Sequence, residues 1–314
     1  MKTFTTRYGI LKGVENATLY PDGSLKECSV GEESQLITIY GILTPQYDYG
    51  DYRKKHVYSA SFYEDGALRR IYLNQQTLVP TPIGKMPAEL ITLYPGGTIK
   101  RIFPLNGQMS GYWDENDEYQ LAKEQTLEFP FGTITAKMIA ISFYESGKIR
   151  DLTLWPKERV ILQTPVGKVR THIGVALYPD GSIKSVEPVY ATRIQTPIGA
   201  IAAYDINANG ISGDRNSLVF HPNGALKSLI TSNTIITVLK DGKPVEKFSP
   251  EQIIDEDGEE IYFQTIKLEF FQREVQINGG EGYDFSSHTF LMEPYLRVAQ
   301  NPCENCSGCN QSCG

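Results

Sequence analysis

Apolar and polar positions along this chain alternate with a period of two, and the alternation is broken at recurring Pro and Gly residues, which predicts strands and turns. The pattern returns six times, around Gly23, Gly66, Gly97, Gly147, Gly181 and Gly224, at spacings of 31 to 50 residues. Four residues before each glycine stand Leu19, Phe62, Leu93, Phe143, Leu177 and Phe220; two after it stand Leu25, Leu68, Ile99, Ile149, Ile183 and Leu226. Strings such as Tyr20-Pro21-Asp22-Gly23 and Tyr178-Pro179-Asp180-Gly181 join the two sets. Pro presets φ for the first turn position, Asp suits the second, and Gly takes the left-handed conformation that a Cβ resists. Each copy therefore reads as a β-hairpin whose three-residue loop is a type I turn closed by a glycine bulge, with the two apolar sets facing each other.

Five residues after the glycine come Cys28, Ile71, Ile102, Leu152, Val186 and Leu229, out of step with strict alternation. This predicts a further bulge in the second strand. Cys28 stands where the other copies carry an aliphatic residue and reads as a small buried hydrophobe. The opposite face repeats as well. Tyr20, Tyr63, Tyr94, Tyr144 and Tyr178, with His221 in the last copy, precede the glycine by three; Lys26, Arg69, Lys100, Arg150, Lys184 and Lys227 follow it by three. Stacked hairpins turn these into a stripe of tyrosines and cations. One reading is a face for a partner, a protein surface before nucleic acid; the other is a solvated face in which Lys stems cover apolar surface.

A second turn precedes most hairpins: Thr81-Pro82-Ile83-Gly84, Phe129-Pro130-Phe131-Gly132, Thr164-Pro165-Val166-Gly167 and Thr196-Pro197-Ile198-Gly199. Tyr8-Gly9 and Thr44-Pro45 read as its remnants in the first two copies. Polar insertions, notably Tyr47 to His56 and Trp113 to Glu124, are expected to bulge from one side of the array. Beyond Thr231 the pattern changes to a tighter hairpin at Val238 to Lys243, an acidic loop from Asp255 to Glu260 and a long strand-like run from Ile261 to Ile277. The fold expected is all-β, with residues 1–231 an elongated array of six hairpin repeats, as an open sheet or β-solenoid. Residues 232–300 are read as a capping region and 301–314 as a cysteine-rich tail.

Composition narrows the function classes. With 40% hydrophobic residues, 19 Tyr and 13 Phe, the 314-residue chain is well supplied for a folded core. A net charge of −7 argues against a dedicated binder of nucleic acid or anionic membrane. No leader-like or membrane-spanning apolar run is seen, so a cytoplasmic location is expected. His56, His172, His221 and His288 are scattered, and no nucleophile elbow or phosphate-binding glycine loop occurs, so catalysis has no positive sign.

Two segments carry candidate metal chemistry. Cys303, Cys306, Cys309 and Cys313 are spaced C-x-x-C-x-x-C-x-x-x-C, which suits thiolate ligation of an iron–sulfur cluster or of zinc; a tail of free or modified thiols is the other reading. Asp205, Asn207 and Asn209 alternate before Gly210 in the manner of a calcium loop, with Asp214 as a second carboxylate, but Asn216 stands where a bidentate Glu belongs. An Asn/Gly-rich turn is the alternative there.

The cysteine run resembles the cluster-ligating run of bacterial-type ferredoxins, with Gly314 in place of the proline that follows it there. The core string Leu177-Tyr178-Pro179-Asp180-Gly181-Ser182-Ile183-Lys184 resembles the bacterial variant of the MORN repeat, over six segments of about ten residues. That resemblance implies an antitoxin-like role, with toxin neutralisation or membrane binding. The function expected is a non-enzymatic scaffold that binds a protein partner through its regular β face. An iron–sulfur or zinc redox or sensor protein is the second reading.

Overall fold

The computed structural model describes residues 2–50, 52–210, 213–254 and 261–295. It is built almost wholly of strands, assembled as one unit repeated along the chain. Repeat one is β1 (Lys2–Thr6), β2 (Gly9–Leu19) and β3 (Leu25–Val30). Repeat two is β4 (Leu36–Thr38), β5 (Gly41–Leu43), β6 (Ala60–Phe62) and the first half of β7 (Leu68–Thr81). Repeat three uses the rest of β7 with β8 (Gly84–Leu93) and β9 (Ile99–Phe103), and a short helix α1 (Glu115–Leu121) follows. Repeat four is β10 (Glu124–Phe129), β11 (Gly132–Phe143) and β12 (Ile149–Leu154); repeat five is β13 (Val160–Thr164), β14 (Gly167–Leu177) and β15 (Ile183–Pro188). Repeat six is β16 (Thr192–Thr196), β17 (Gly199–Ala203), β18 (Leu218–Phe220) and β19 (Leu226–Thr231). Then come β20 (Thr234–Lys240), β21 (Lys243–Phe248), β22 (Glu251–Ile254), β23 (Ile261–Gln264), β24 (Ile266–Phe270), β25 (Glu274–Ile277), β26 (Gly282–Asp284) and β27 (His288–Pro294).

The principal sheet has 18 strands and every pairing in it is antiparallel. Its backbone runs β1-β2-β3-β6-β7-β8-β9-β11-β12-β14-β15-β18-β19-β24-β25-β26, in chain order, with β10 and β13 paired to the far halves of β11 and β14. The hairpin chemistry read from the sequence is realised in all six copies. Each glycine has φ between 80 and 85°, and its N–H donates to the carbonyl of Tyr (His221 in the last copy) at 2.9 Å. Leu19 pairs Leu25, Phe62 pairs Leu68, and the later copies follow. In every copy the register then skips one residue of the second strand, as the sequence predicts. The skip brings both the second and the fifth position after the glycine onto the core face, and Ile71, Ile102, Leu152, Val186, Leu229 and Cys28 are all fully buried. Burial pushes the Cys28 thiol up to about 12.

The second turn type folds back over that core face as another layer. Val79, Met86, Ile134, Leu162, Val169 and Ile201 from these small hairpins share one hydrophobic cluster with the main-sheet residues. In five of the six turns a threonine hydroxyl donates to the carbonyl of the closing glycine, from Thr6, Thr38, Thr81, Thr164 and Thr196. The copy in repeat two is therefore Thr38-Ile39-Tyr40-Gly41, and not the Thr44-Pro45 remnant expected; Pro45 instead forms an isolated bridge with Leu73. Each of the first five such turns rests on the hairpin of the following repeat, and the sixth lies against Met292 of β27. The Arg7 Nε–H donates to Gly66 O, the Tyr40 hydroxyl donates to Gly97 O, and the rings of Pro82, Pro130 and Pro165 cover Gly147, Gly181 and Gly224, where a Cβ would meet them at 3.0 to 3.5 Å.

Past Thr231 the chain leaves the principal sheet for two small ones, β20 with β21 and β27, and β22 with β23, and rejoins it at β24, which pairs with β19. The run from Ile261 to Ile277 is not one strand but β23, β24 and β25, because the chain turns back at Phe271, whose N–H donates to Glu274 O. Asp241 and Gly242 adopt φ of 52 and 73°, as the tight hairpin signal requires, and β20 pairs with both β21 and β27. Among the described residues no helix is long and apolar enough to cross a membrane.

Candidate functional site

The hairpin turns line one edge of the sheet, and there the basic residue of each repeat is the one that the register skips: Lys26, Arg69, Lys100, Arg150, Lys184 and Lys227. A bulged residue has no partner across the hairpin. Lys26, Arg69 and Lys100 lie over Tyr20, Tyr63 and Tyr94 of their own hairpins, 5.8, 5.9 and 5.6 Å from the ring centroids. The tyrosine hydroxyls point to the next repeat. Tyr20 donates to Phe62 O, Tyr63 to Leu93 O, Tyr94 to Phe143 O, Tyr144 to Leu177 O and Tyr178 to Phe220 O, all at 2.8 to 2.9 Å. Five tyrosines thus staple six hairpins, and the cations and ring faces are what the edge presents outward. Arg150 departs from its equivalents: its Nε binds Asp151 Oδ2 at 2.8 Å, and that carboxylate is buried.

The candidate calcium residues sit in the segment between β17 and β18. Asp205 Oδ1 accepts from the Asn207 amide at 2.9 Å, Asn207 Nδ2 donates to Phe263 O at 2.8 Å, and Asp214 is exposed. Asp205 thus closes its own turn, while the Asn207 side chain is engaged with β23. Both ends of this insertion hang on one side chain, Glu187 of β15. It accepts from Ser217 N at 2.6 Å and Ser217 Oγ at 2.8 Å, and also from the Asp205 backbone. Burial raises the Glu187 carboxyl to about 7 against the opposing pull of those donors. Cys303, Cys306, Cys309 and Cys313 lie outside the described residues. Among the described residues no three His, Cys, Asp or Glu side chains are grouped to hold a metal.

The insertions converge on the sheet face opposite the core. There a cleft of about 430 Å³ is walled by Lys55 from one insertion, Asn106, Gly107, Met109 and Glu118 from a second, and Asn209 and Gly210 from a third. Its floor is Arg101 and Phe103 of β9 with Ile139 of β11, and Trp155 and Pro156 close one end. Ile139 reaches this face because the β11–β12 register skips it. The walls are fixed by a buried ion cluster. Arg53 binds Glu89 through two hydrogen bonds at 3.0 and 2.8 Å and Glu118 through two at 2.8 and 2.7 Å. Glu118, 2% exposed, also accepts from Gly107 N and Trp113 Nε1, and Glu89 accepts from Asn106 N. A Cβ at Gly107 would collide with the Glu118 carboxylate. Helix α1 exists to deliver Glu118. Asp114 caps it, accepting from Asn116 N and Asp117 N, while the Asp117 carboxylate accepts from Asp114 N.

Burial lowers the pKa of Lys55 and, separately, of Arg101 below the usual values for those groups, with nearby carboxylates opposing the shift. Lys55 Nζ donates to Asn106 Oδ1, and Arg101 donates to Thr153 Oγ1 while lying 4.7 Å from the Phe103 ring centroid. Neither Arg101 nor Trp155 stands out in the sequence as a site residue. The visible signal is the density of charged and aromatic residues in the two insertions, Tyr47 to His56 and Trp113 to Glu124. Comparison of the chain with protein-family models, curated proteins and solved structures gave no match, so the function is argued from this geometry alone.

Proposed function

We propose that the chain is a non-enzymatic repeat scaffold that binds a protein partner along its hairpin-turn edge. The observation that carries this reading is the display of one cation on the bulge of each of six consecutive hairpins. At ordinary strand separations these cations recur roughly every 10 Å, a spacing that a matching acidic surface can meet at several points at once. The likeness of the hairpin string to MORN-type repeats is in keeping with it. The test is cross-linking capture with the unaltered chain beside a Lys26→Glu, Lys100→Glu, Lys184→Glu variant. One protein held by the former and released by the latter supports the reading; equal capture by both removes the edge as the contact. Arg150 is left out of the variant because its loss would strand buried Asp151.

For the tail we propose thiolate binding of an iron–sulfur cluster or of zinc by Cys303, Cys306, Cys309 and Cys313, a reading supported by their spacing. Metal content of the full chain beside a version ending at Asn301 tests it. Iron or zinc in the full chain alone is expected, and its absence from both sinks the idea.

A further inference from the structure

We propose that the cleft beneath the insertions is a binding site for a small organic carboxylate carrying an apolar body. This site is separate from the hairpin-turn edge and does not depend on the scaffold reading. Three observations meet there. First, the interior is rich in donors. Lys55 and Arg101 bring two cations to it; of the two carboxylates at its wall, Glu118 is already saturated by Arg53, Gly107 and Trp113, and Glu115 is exposed to solvent. Second, Trp155, only 5% exposed, lines the cleft, and its indole Nε1 has no acceptor. A buried donor left without an acceptor is costly, on the order of 1–3 kcal/mol, and is uncommon in folded proteins. Third, Phe103, Ile139, Met109 and Pro156 supply apolar walls, so a ligand that is charged throughout would leave them uncovered.

A carboxylate accepts from a cation and an indole N–H together, and an aryl or alkyl body then covers the apolar walls. The volume of about 430 Å³ lies within the usual range of small-molecule sites, roughly 300–1,000 Å³. The four irregular segments that build the cleft come from different repeats; the two that carry Lys55 and Glu118 are clamped by the Arg53–Glu89–Glu118 cluster, and the one that carries Asn209 is held by Glu187, before any ligand arrives. Preformed walls of this kind lower the ordering cost of binding.

The chain contains two tryptophans, and both are placed to report. Trp155 lines the cleft, while the Trp113 indole already donates to Glu118 Oε2 at 2.7 Å and serves as the internal reference. The experiment follows the two indole N–H resonances of the full chain, assigned with a Trp155→Phe variant, during titration with benzoate, phenylacetate and 3-phenylpropionate and with their neutral amides. The Trp155 resonance is expected to move downfield and saturate with at least one acid and not with its amide. Lys55→Gln or Arg101→Gln, with the Trp113 resonance in place as the sign of intact loops, is expected to weaken that acid by about tenfold or more, the loss typical of a charge-assisted hydrogen bond. No movement with any acid, or equal movement with acid and amide, overturns the proposal.

Discussion

The hairpin-turn edge and the insertion face are built on the same strands and by opposite rules. At the edge every repeat contributes the same parts in the same places: a glycine at φ near 80°, a tyrosine to the next carbonyl, a cation on the bulge. On the insertion face no part is repeated. Arg53, Glu89, Glu118, Lys55 and Trp155 each occur once, and they are brought together from distant stretches of chain. Periodicity makes the frame, and departures from periodicity make the enclosed chemistry. In energetic terms the edge distributes its stabilisation over many modest, equivalent contacts, whereas the insertion face concentrates it in a few buried charges.

That contrast is sharpest at Glu118. Glu118→Ala removes a carboxylate that satisfies Arg53, Gly107 N and Trp113, and breaking a buried ion cluster of this kind is expected to cost about 3–5 kcal/mol, read as a shift in the urea midpoint. Gly107→Ala should fail in the same direction through collision with that carboxylate. An edge substitution that cost as much would erase the distinction.

The next largest effect is one of pH. Glu187 is raised from 4.5 to about 7 by burial, so between those values the folded chain holds a proton that the unfolded chain releases. Its contribution to stability is fully present below pH 4.5 and is lost as pH rises through 7, about 3 kcal/mol by linkage. Glu187→Gln should flatten that part of the pH–stability curve; an unchanged slope in the variant would show that another group governs it. Smaller again is the tyrosine staple. Tyr94→Phe should cost about 1 kcal/mol in denaturant titration, with near-equal values at Tyr63 and Tyr144, the mark of equivalent repeats. Smallest of all, the Lys26→Glu, Lys100→Glu, Lys184→Glu variant should change stability by no more than about 0.5 kcal/mol per site while releasing the partner.

The frame was legible because its causes are local. Pro, Asp and Gly dictate the turn within four residues, and the offset between Ile99 and Ile102 reveals a bulge in the second strand, which the register places at Lys100. The continuation through β24 and β25 was hidden because its turn, from Phe271 to Glu274, carries no glycine signature. Helix α1 was hidden for a different reason. Its seven residues are too few to show a helical period, and its purpose, presenting Glu118 to Arg53, is set by partners 65 residues away. The cleft was illegible on the same ground, since nothing near Trp155 in the chain signals Lys55 or Arg101. The tyrosines were visible as a stripe, but their role was not. A hydroxyl aimed at the next repeat looks, in sequence, the same as one aimed at solvent.

The staples also have a direction. Each tyrosine donates forward, to a carbonyl that the chain reaches only one repeat later, and the first five small turns likewise rest on the hairpin that follows them. A chain emerging from its N-terminus during synthesis therefore completes the staples of each hairpin as the next one appears, although the insertion of repeat six still reaches back two units, from Gly213 N to Thr153 Oγ1. Loop-closure costs stay small and similar at every step, which favours quick, stepwise assembly for so large a sheet. Truncation from the C-terminus should accordingly leave shorter but ordered arrays, each ending in one unstapled tyrosine.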